Sequence, residues 1–378
     1  MPASTDYVVV GAGLAGAATA WHLASRGHDV TILERTAPAS HDGSSHGSAR
    51  IFRYAYPDEF YTRMVIESKA LWDELDRDSG LELISPFGAV DYGSGRQPEL
   101  LARVLAEAGV EHELLSAADA GTRWPQMVFD TSVLWHPGAG VIDAETSVHA
   151  MVARAVHHGA RLSTGWDVTG VAKTSAGYRL TSAAGEELTA GNVIISAGGW
   201  LPQLLGQLPL PTGFLAGLPE ITVRQEQAFH FRYLEPEPWP TFIHKSEDIQ
   251  TYGLPGGRDA GFAGQKVAEY NGGRSIPSAD RQTGVVDPAN RGRVVDYVRK
   301  YLPGLEPEPY AETTCLFTNT PNEDFLIDRA EGITILSPCS GHGAKFAPLI
   351  GQWAADLASG TGSVPARFRQ ATARISGR

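Results

Sequence analysis

Cysteine is scarce: Cys315 and Cys339 are the only two in 378 residues. Two thiols cannot build a disulfide framework for a chain of this length, so a reducing, cytoplasmic setting is expected and each thiol is weighed for chemistry or plain packing. Positive charge is also short, with 31 Lys plus Arg against 43 Asp plus Glu and a formal charge of −12. That balance disfavours phosphate backbones and anionic lipid as partners, so no nucleic acid is expected. No apolar run is long enough to span a bilayer, and the polar stretch before Tyr7 leaves no room for a secretory leader, so neither a membrane nor export is expected. No metal site is expected either.

What is present is an ordinary globular composition, 42% hydrophobic and 20% charged. The length exceeds what one core usually organises, which predicts two packed domains. Tyr7-Val8-Val9-Val10 reads as a buried strand, followed by Gly11-Ala12-Gly13-Leu14-Ala15-Gly16 and an amphipathic stretch. Gly27 ends that helix and Val30 to Glu34 forms the next strand, a β-turn-α-β opening. Helical patterns are predicted over 57–75, with Phe60, Met64, Leu71, Trp72 and Leu75 inward and Gly80 closing, and over 146–159. Val168 to Thr181 reads as an antiparallel ribbon, and the strand Val193-Ile194-Ile195 runs into Ser196-Ala197-Gly198-Gly199. Alternating segments between Pro219 and Tyr270 suggest an antiparallel sheet, and Ile333 to Leu357 a strand, glycine-rich turn and helix. The predicted fold class is α/β, or α+β in two domains: a Rossmann-type domain from 1–80, 140–215 and 311–378, with an inserted antiparallel substrate domain from 81–139 and 216–310.

The three glycines at 11, 13 and 16 lie between strand and helix, where they permit a tight turn, close approach to a pyrophosphate and close helix packing. Glu34 ends the next strand, where a carboxylate accepts ribose hydroxyls. A glycine fingerprint alone is weak, but strand, helix and acid together point to a dinucleotide. FAD and NAD both carry ADP, so the fingerprint leaves the choice open. The absence of a second fingerprint favours a nucleotide that is itself the redox cofactor.

Several stretches resemble the monomeric sarcosine oxidase and N-methyltryptophan oxidase family of FAD-dependent amine oxidases. They are Val9 to Arg35, His46 to Arg53, Ser196 to Trp200, Tyr252 to Pro255, Cys315 to Asp328, and Ser340-Gly341-His342-Gly343-Ala344-Lys345-Phe346. The resemblance implies FAD joined through the Cys315 sulfur to the flavin 8α carbon, which a nearby cation would assist by lowering the thiol pKa. Cys339 has no such context and is taken as core. Cofactor contacts are expected from Gly11, Gly13, Leu14, Ala15, Gly16, Glu34, Arg35, Ser45, Ser48, Arg50, Val168, Ala197, Gly198, Trp200, Cys315, Gly341, Gly343 and Lys345.

In a helical or turn segment Arg50 and Arg53, three apart, would face one cavity. The resemblance implies Arg50 as a flavin-side cation, with Arg53 and Lys345 as ligands of the substrate carboxylate and Gly341 leaving room for the amine. Lys266 matches the family's oxygen-activating lysine, whose charge stabilises developing superoxide. Tyr252 matches a pocket tyrosine, and Tyr270 stands where the family carries a histidine, on the lysine's strand face. Lys266, Arg50, Tyr252 and Tyr270 are therefore the candidate catalytic residues. Two solvated arginines, a loop lysine and an edge-strand lysine are the bland alternatives.

The implied reaction is oxidation of a small secondary amino acid, N-methyl or cyclic, to an imine that hydrolyses where acyclic, with O₂ leaving as H₂O₂. Hydride loss needs a neutral amine, so activity is expected to rise with pH. A dehydrogenase handing electrons to a carrier, or a non-catalytic flavin-binding protein, stays open as an alternative. A monomer is implied by the resemblance.

Overall fold

The computed structural model describes residues 3–370; the outermost parts of the expected terminal segments, 1–2 and 371–378, lie outside the described residues. Strand β1 (Ala3–Val10), helix α1 (Leu14–Ser25) and strand β2 (Val30–Glu34) form the opening unit. Val8, Val9, Val30 and Ile32 are completely buried, as β-branched residues are in a parallel strand covered on both faces. Alanines 17, 18 and 20 of α1 are buried too, since a helix wedged between other helices has no solvent face to make polar.

Short strand β3 (Arg50–Phe52) and helix α2 (Glu59–Ser79) follow. The helix starts two residues later than the predicted 57 because Asp58 is extended and caps it, accepting from the Phe60 N–H at 3.0 Å; Gly80 closes it in the left-handed conformation. Its buried stripe is Tyr61, Met64, Val65, Trp72 and Leu75, with Phe60 and Leu71 only partly covered. The second predicted helix spans Ala144–His157, starting earlier because Asp143 caps it.

Strand β4 (Glu187–Ile195) lies parallel to β1, with Val8 opposite Val193. Its free edge is shared. The ribbon of Val168–Thr174 and Gly177–Ser182 pairs antiparallel with its first half, and the strand Ile333–Ser337 pairs parallel with its second. With Arg161–Thr164 beyond β2 and Leu326–Ala330 beyond Ile333–Ser337, this is an eight-stranded sheet. Helix α3 (Ala347–Ser359) leaves its C-terminal end and packs on α1.

The second sheet has nine strands. Its central members are β5 (Thr222–Tyr233), β6 (Thr241–Lys245), β7 (Gln250–Pro255), β8 (Gly264–Glu269) and β9 (Leu305–Asn319). Ala89–Tyr92 joins it in parallel beside β6. Strand β9 continues across position 310, where the sequence suggested a boundary, because it pairs along β5 on both sides of a bulge that leaves Tyr310 between the Ala311 and Pro309 pairs. The register sets the chemistry of one face. Residues opposite one another share a face, and Lys266 lies opposite Leu254 and His230, Tyr252 opposite Ile243 and Ala268, and Cys315 opposite Glu226. By strand alternation Lys245, Tyr252, Lys266 and Cys315 all project to the same side.

Candidate functional site

A cavity of about 530 Å³ runs from the Gly11 turn to Cys315 and Gly341, between the two sheets. At the first end Gly11 has φ +99, and a Cβ there would sit 2.4 Å from the Ser196 carbonyl oxygen; only glycine fits. Helix α1 begins at Gly13 with no side-chain cap, so the N–H groups of its first turn point toward the space lined by Leu14 and Ala15. Leu14 donates its N–H to Ser45 Oγ at 3.0 Å, which draws the 44–45 segment over the turn. The Glu34 carboxylate accepts from Ala12 N–H at 2.7 Å and Thr36 N–H at 3.0 Å while lining the cavity. Each oxygen keeps a lone pair for a sugar hydroxyl. Beside it Arg35 stacks on the Trp200 ring at 4.2 Å, and Trp200 Nε1 donates to Asp280 at 2.8 Å.

At the far end Arg50 donates to three carbonyls, Ala49 at 2.9 Å, Ser44 at 2.9 Å and His46 at 2.8 Å, and has no carboxylate partner among the described residues. Cys315 and Lys266 lie within its field. Burial, then Arg50, lowers the Lys266 ammonium from the usual lysine range to about 8. Lys266 is 7% exposed and makes no ion pair among the described residues. The Cys315 thiol is pushed up by burial, with Arg50 and Lys266 opposing that rise, so the expectation of a thiol lowered by cations is met only in the direction of their contribution. Tyr252 is half-buried near Cys315, and its hydroxyl is pushed up by desolvation and then by Cys315.

The expectation that Arg50 and Arg53 share a face through helical spacing is corrected: β3 is extended and pairs with Gly140–Ile142. Arg50 lies on this strand and lines the cavity, whereas Arg53 follows the strand's end at Phe52 and does not line it. Arg53 instead lies over the Tyr56 ring at 4.3 Å, with Lys345 Nζ 5.7 Å from the same ring. Lys345 is 3% exposed, and its amine is held well below the usual lysine range by burial and then by Arg53. Neither cation has a carboxylate partner among the described residues. Lys345 Nζ donates to the His342 carbonyl at 2.7 Å, and its own carbonyl accepts from Ser68 at 2.8 Å and Trp72 Nε1 at 2.9 Å, so α2 fixes the turn that carries it. Gly341 has φ +70, and a Cβ there would lie 2.9 Å from both Phe317 and Tyr270. The Tyr270 hydroxyl donates to Glu323 at 2.9 Å.

Of the expected cofactor residues, Gly11, Gly13, Leu14, Ala15, Glu34, Arg35, Ser45, Arg50, Val168, Ala197, Gly198, Trp200, Cys315, Gly341 and Gly343 line the cavity. Gly16 instead packs against the Gly11 carbonyl, Ser48 turns away to hydrogen-bond Asp259, and Lys345 lies beyond the wall. Lys266, Tyr252, Tyr270 and Arg53 stand behind the same end rather than in the lining. The sequence did not single out Ser44, Trp166 or Thr318, which also line it, and Cys339, expected as core, is corrected to a lining residue. Ser44 was within reach, adjoining Ser45 in a small-residue run; Thr318 is placed by strand pairing, and Trp166 and Cys339 by loops that follow the strands Arg161–Thr164 and Ile333–Ser337.

These features fit a flavin dinucleotide: an open helix N-terminus for pyrophosphate, a carboxylate for the ribose, and cations with a thiol where the ring would end. The comparisons agree. A family model described as FAD dependent oxidoreductase matches residues 6–357. Monomeric sarcosine oxidase of Streptomyces avermitilis is 31% identical, over 97% of this chain and 96% of that one. Human peroxisomal sarcosine oxidase is 31% identical, over 92% and 90%. Among solved structures, the open form of NikD, described as an unusual amino acid oxidase essential for nikkomycin biosynthesis, superposes with a TM-score of 0.86 at 25% identity over the whole of both chains. Glycine oxidase from Geobacillus kaustophilus shares the fold, with a TM-score of 0.79 at 19% identity.

Proposed function

Since the chain belongs to the FAD-dependent oxidoreductase family, we propose that it oxidises the C–H bond beside the nitrogen of a secondary amino acid, N-methyl or cyclic. Bound FAD supplies a two-electron acceptor for that bond. Arg53 and Lys345 hold the substrate carboxylate, and the observation that carries the reading is their gathering at the Tyr56 ring without an acidic partner among the described residues. A buried Lys345 beside a half-buried Arg53 favours an anion within reach of both. Gly341, which lines the cavity and is closely covered by Phe317 and Tyr270, offers its backbone to the amine, which must be neutral to release hydride.

Arg50 and Lys266 would put positive charge beside a bound flavin ring, favouring its reduced form, and Lys266 would stabilise negative charge developing on oxygen. Molecular oxygen is thus the proposed acceptor and H₂O₂ the product. Cys315 is the proposed anchor through a thioether, supported by its place at the cavity end between those two cations. The first sheet would serve as the nucleotide domain and the second as the substrate domain; a cytoplasmic monomer completes the proposal. Anaerobic mixing with N-methyl and cyclic amino acids tests it: the flavin colour bleaches with a substrate and returns on aeration with release of peroxide. Bleaching without return in air would favour a dehydrogenase instead.

A further inference from the structure

Lys245 ends strand β6 on the face that also carries Tyr252 and Lys266, opposite Gln250 of β7. It is half-buried, yet it has neither a hydrogen bond nor an ion pair from its ammonium among the described residues. Its neighbourhood is electropositive. Burial, then Arg96 and Arg53, holds its pKa below the usual lysine range, with Glu323 and Asp91 pulling the other way. Asp91 is ion-paired with buried Arg96, whose Nε donates to its Oδ1 at 2.6 Å, so its charge is balanced there although its Oδ2 has no hydrogen-bond partner among the described residues, and Glu323 accepts from Tyr270. Arg53, Lys345 and Lys245 therefore stand against one available carboxylate, that of exposed Glu323. One α-carboxylate on the substrate leaves this group of charges still one anion short. A half-buried ammonium with no partner is costly to keep, and a ligand oxygen that reaches it removes the cost.

We infer that Lys245 forms a second anion subsite beside the Arg53–Lys345 pair, so that the substrate is a secondary amino acid carrying a further carboxylate on its side chain. This rests on the proposed function for the place of the α-carboxylate. The two carboxylates would span from Tyr56 toward the end of β6, with the amine between them. Lys245 then determines specificity and takes no part in the chemistry.

The test is direct binding to the yellow holoenzyme, followed by perturbation of the flavin absorption spectrum. Glutarate, a dicarboxylate with no amine, is compared with butyrate. Glutarate is expected to bind at least ~10-fold more tightly, a difference K245M abolishes and K245R retains. Equal binding of the two acids by the unsubstituted protein, or an unchanged glutarate preference in K245M, overturns the inference. Retention of flavin colour by both variants shows that they fold. Separately, N-methyl glutamate and N-methyl alanine are offered under anaerobic conditions. Preference for glutarate without bleaching by any secondary amine leaves the subsite standing and removes the oxidase reading. Bleaching by N-methyl alanine with no glutarate preference does the reverse.

Discussion

The two ends of the cavity are built on different terms. At the pyrophosphate end Gly11, Gly13, Leu14, Ala15, Glu34 and Ser45 all come from the first 45 residues, and one βαβ unit with its following loop positions them. At the ring end Arg50, Lys266 and Cys315 come from three separate segments and meet only because two sheets pack together, while Lys345, beyond the wall, is held by α2. The first end is tied to local backbone geometry and tolerates almost no change in shape. The second depends on charges whose positions are set from a distance, so it tolerates change in shape but not in sign.

Several substitutions would break or sharpen that contrast. The largest effect is expected from Cys315→Ser. In acid-precipitated protein the flavin should move wholly from pellet to supernatant, and a pellet that stays yellow in the variant would place the anchor elsewhere. Next is Lys266→Met, where loss of a charge facing developing superoxide should slow reoxidation by O₂ on the order of 100-fold while anaerobic reduction changes little. In the unsubstituted protein the same step should slow as pH rises through about 8, because the protonated form is the useful one and burial with Arg50 has lowered that lysine to about 8. Stopped-flow oxygen mixing across that range reads both.

Gly11→Ala attacks the other end. Strain at a positive φ together with a Cβ 2.4 Å from the Ser196 oxygen should cost about 3 kcal/mol and deplete flavin in the purified protein. Flavin-to-protein absorbance ratios check this, and an unchanged ratio would show the turn to be more pliant than its geometry implies. Glu34→Gln keeps the shape but loses the charge, and should weaken FAD about tenfold in a Cys315→Ser background, as loss of one charged hydrogen bond does. Tyr270→Phe is expected to have the smallest effect, a few-fold change in KM with little in kcat, since it removes a hydroxyl bonded to Glu323 and leaves the ring against Gly341.

How much of this was readable in advance follows the same division. The Gly11 to Glu34 unit was legible because strand, turn and helix signals act over neighbouring residues. The identity of Cys315, Lys266 and Lys345 was suggested by resemblance, but their mutual approach was not visible, because nothing local tells β9 how to register on β5. Spacing even misled at Arg50 and Arg53. Three residues share a face in a helix, yet this segment is a strand because Gly140–Ile142 offers it a hydrogen-bonding edge. Ser48 was a similar case, drawn away from the cavity by Asp259, which lies more than 200 positions later.

Taken alone, the order of residues determined that an ADP-carrying cofactor would sit on the first helix of an α/β fold, while the choice of FAD over NAD came from the resemblance. Those properties rest on backbone torsions and on contacts between near neighbours. Only the tertiary structure decided which cations are left without acidic partners, and hence where an anionic substrate is welcome. Whether a charge is paired depends on what long-range packing brings within reach of it, and periodicity along the chain carries no record of that.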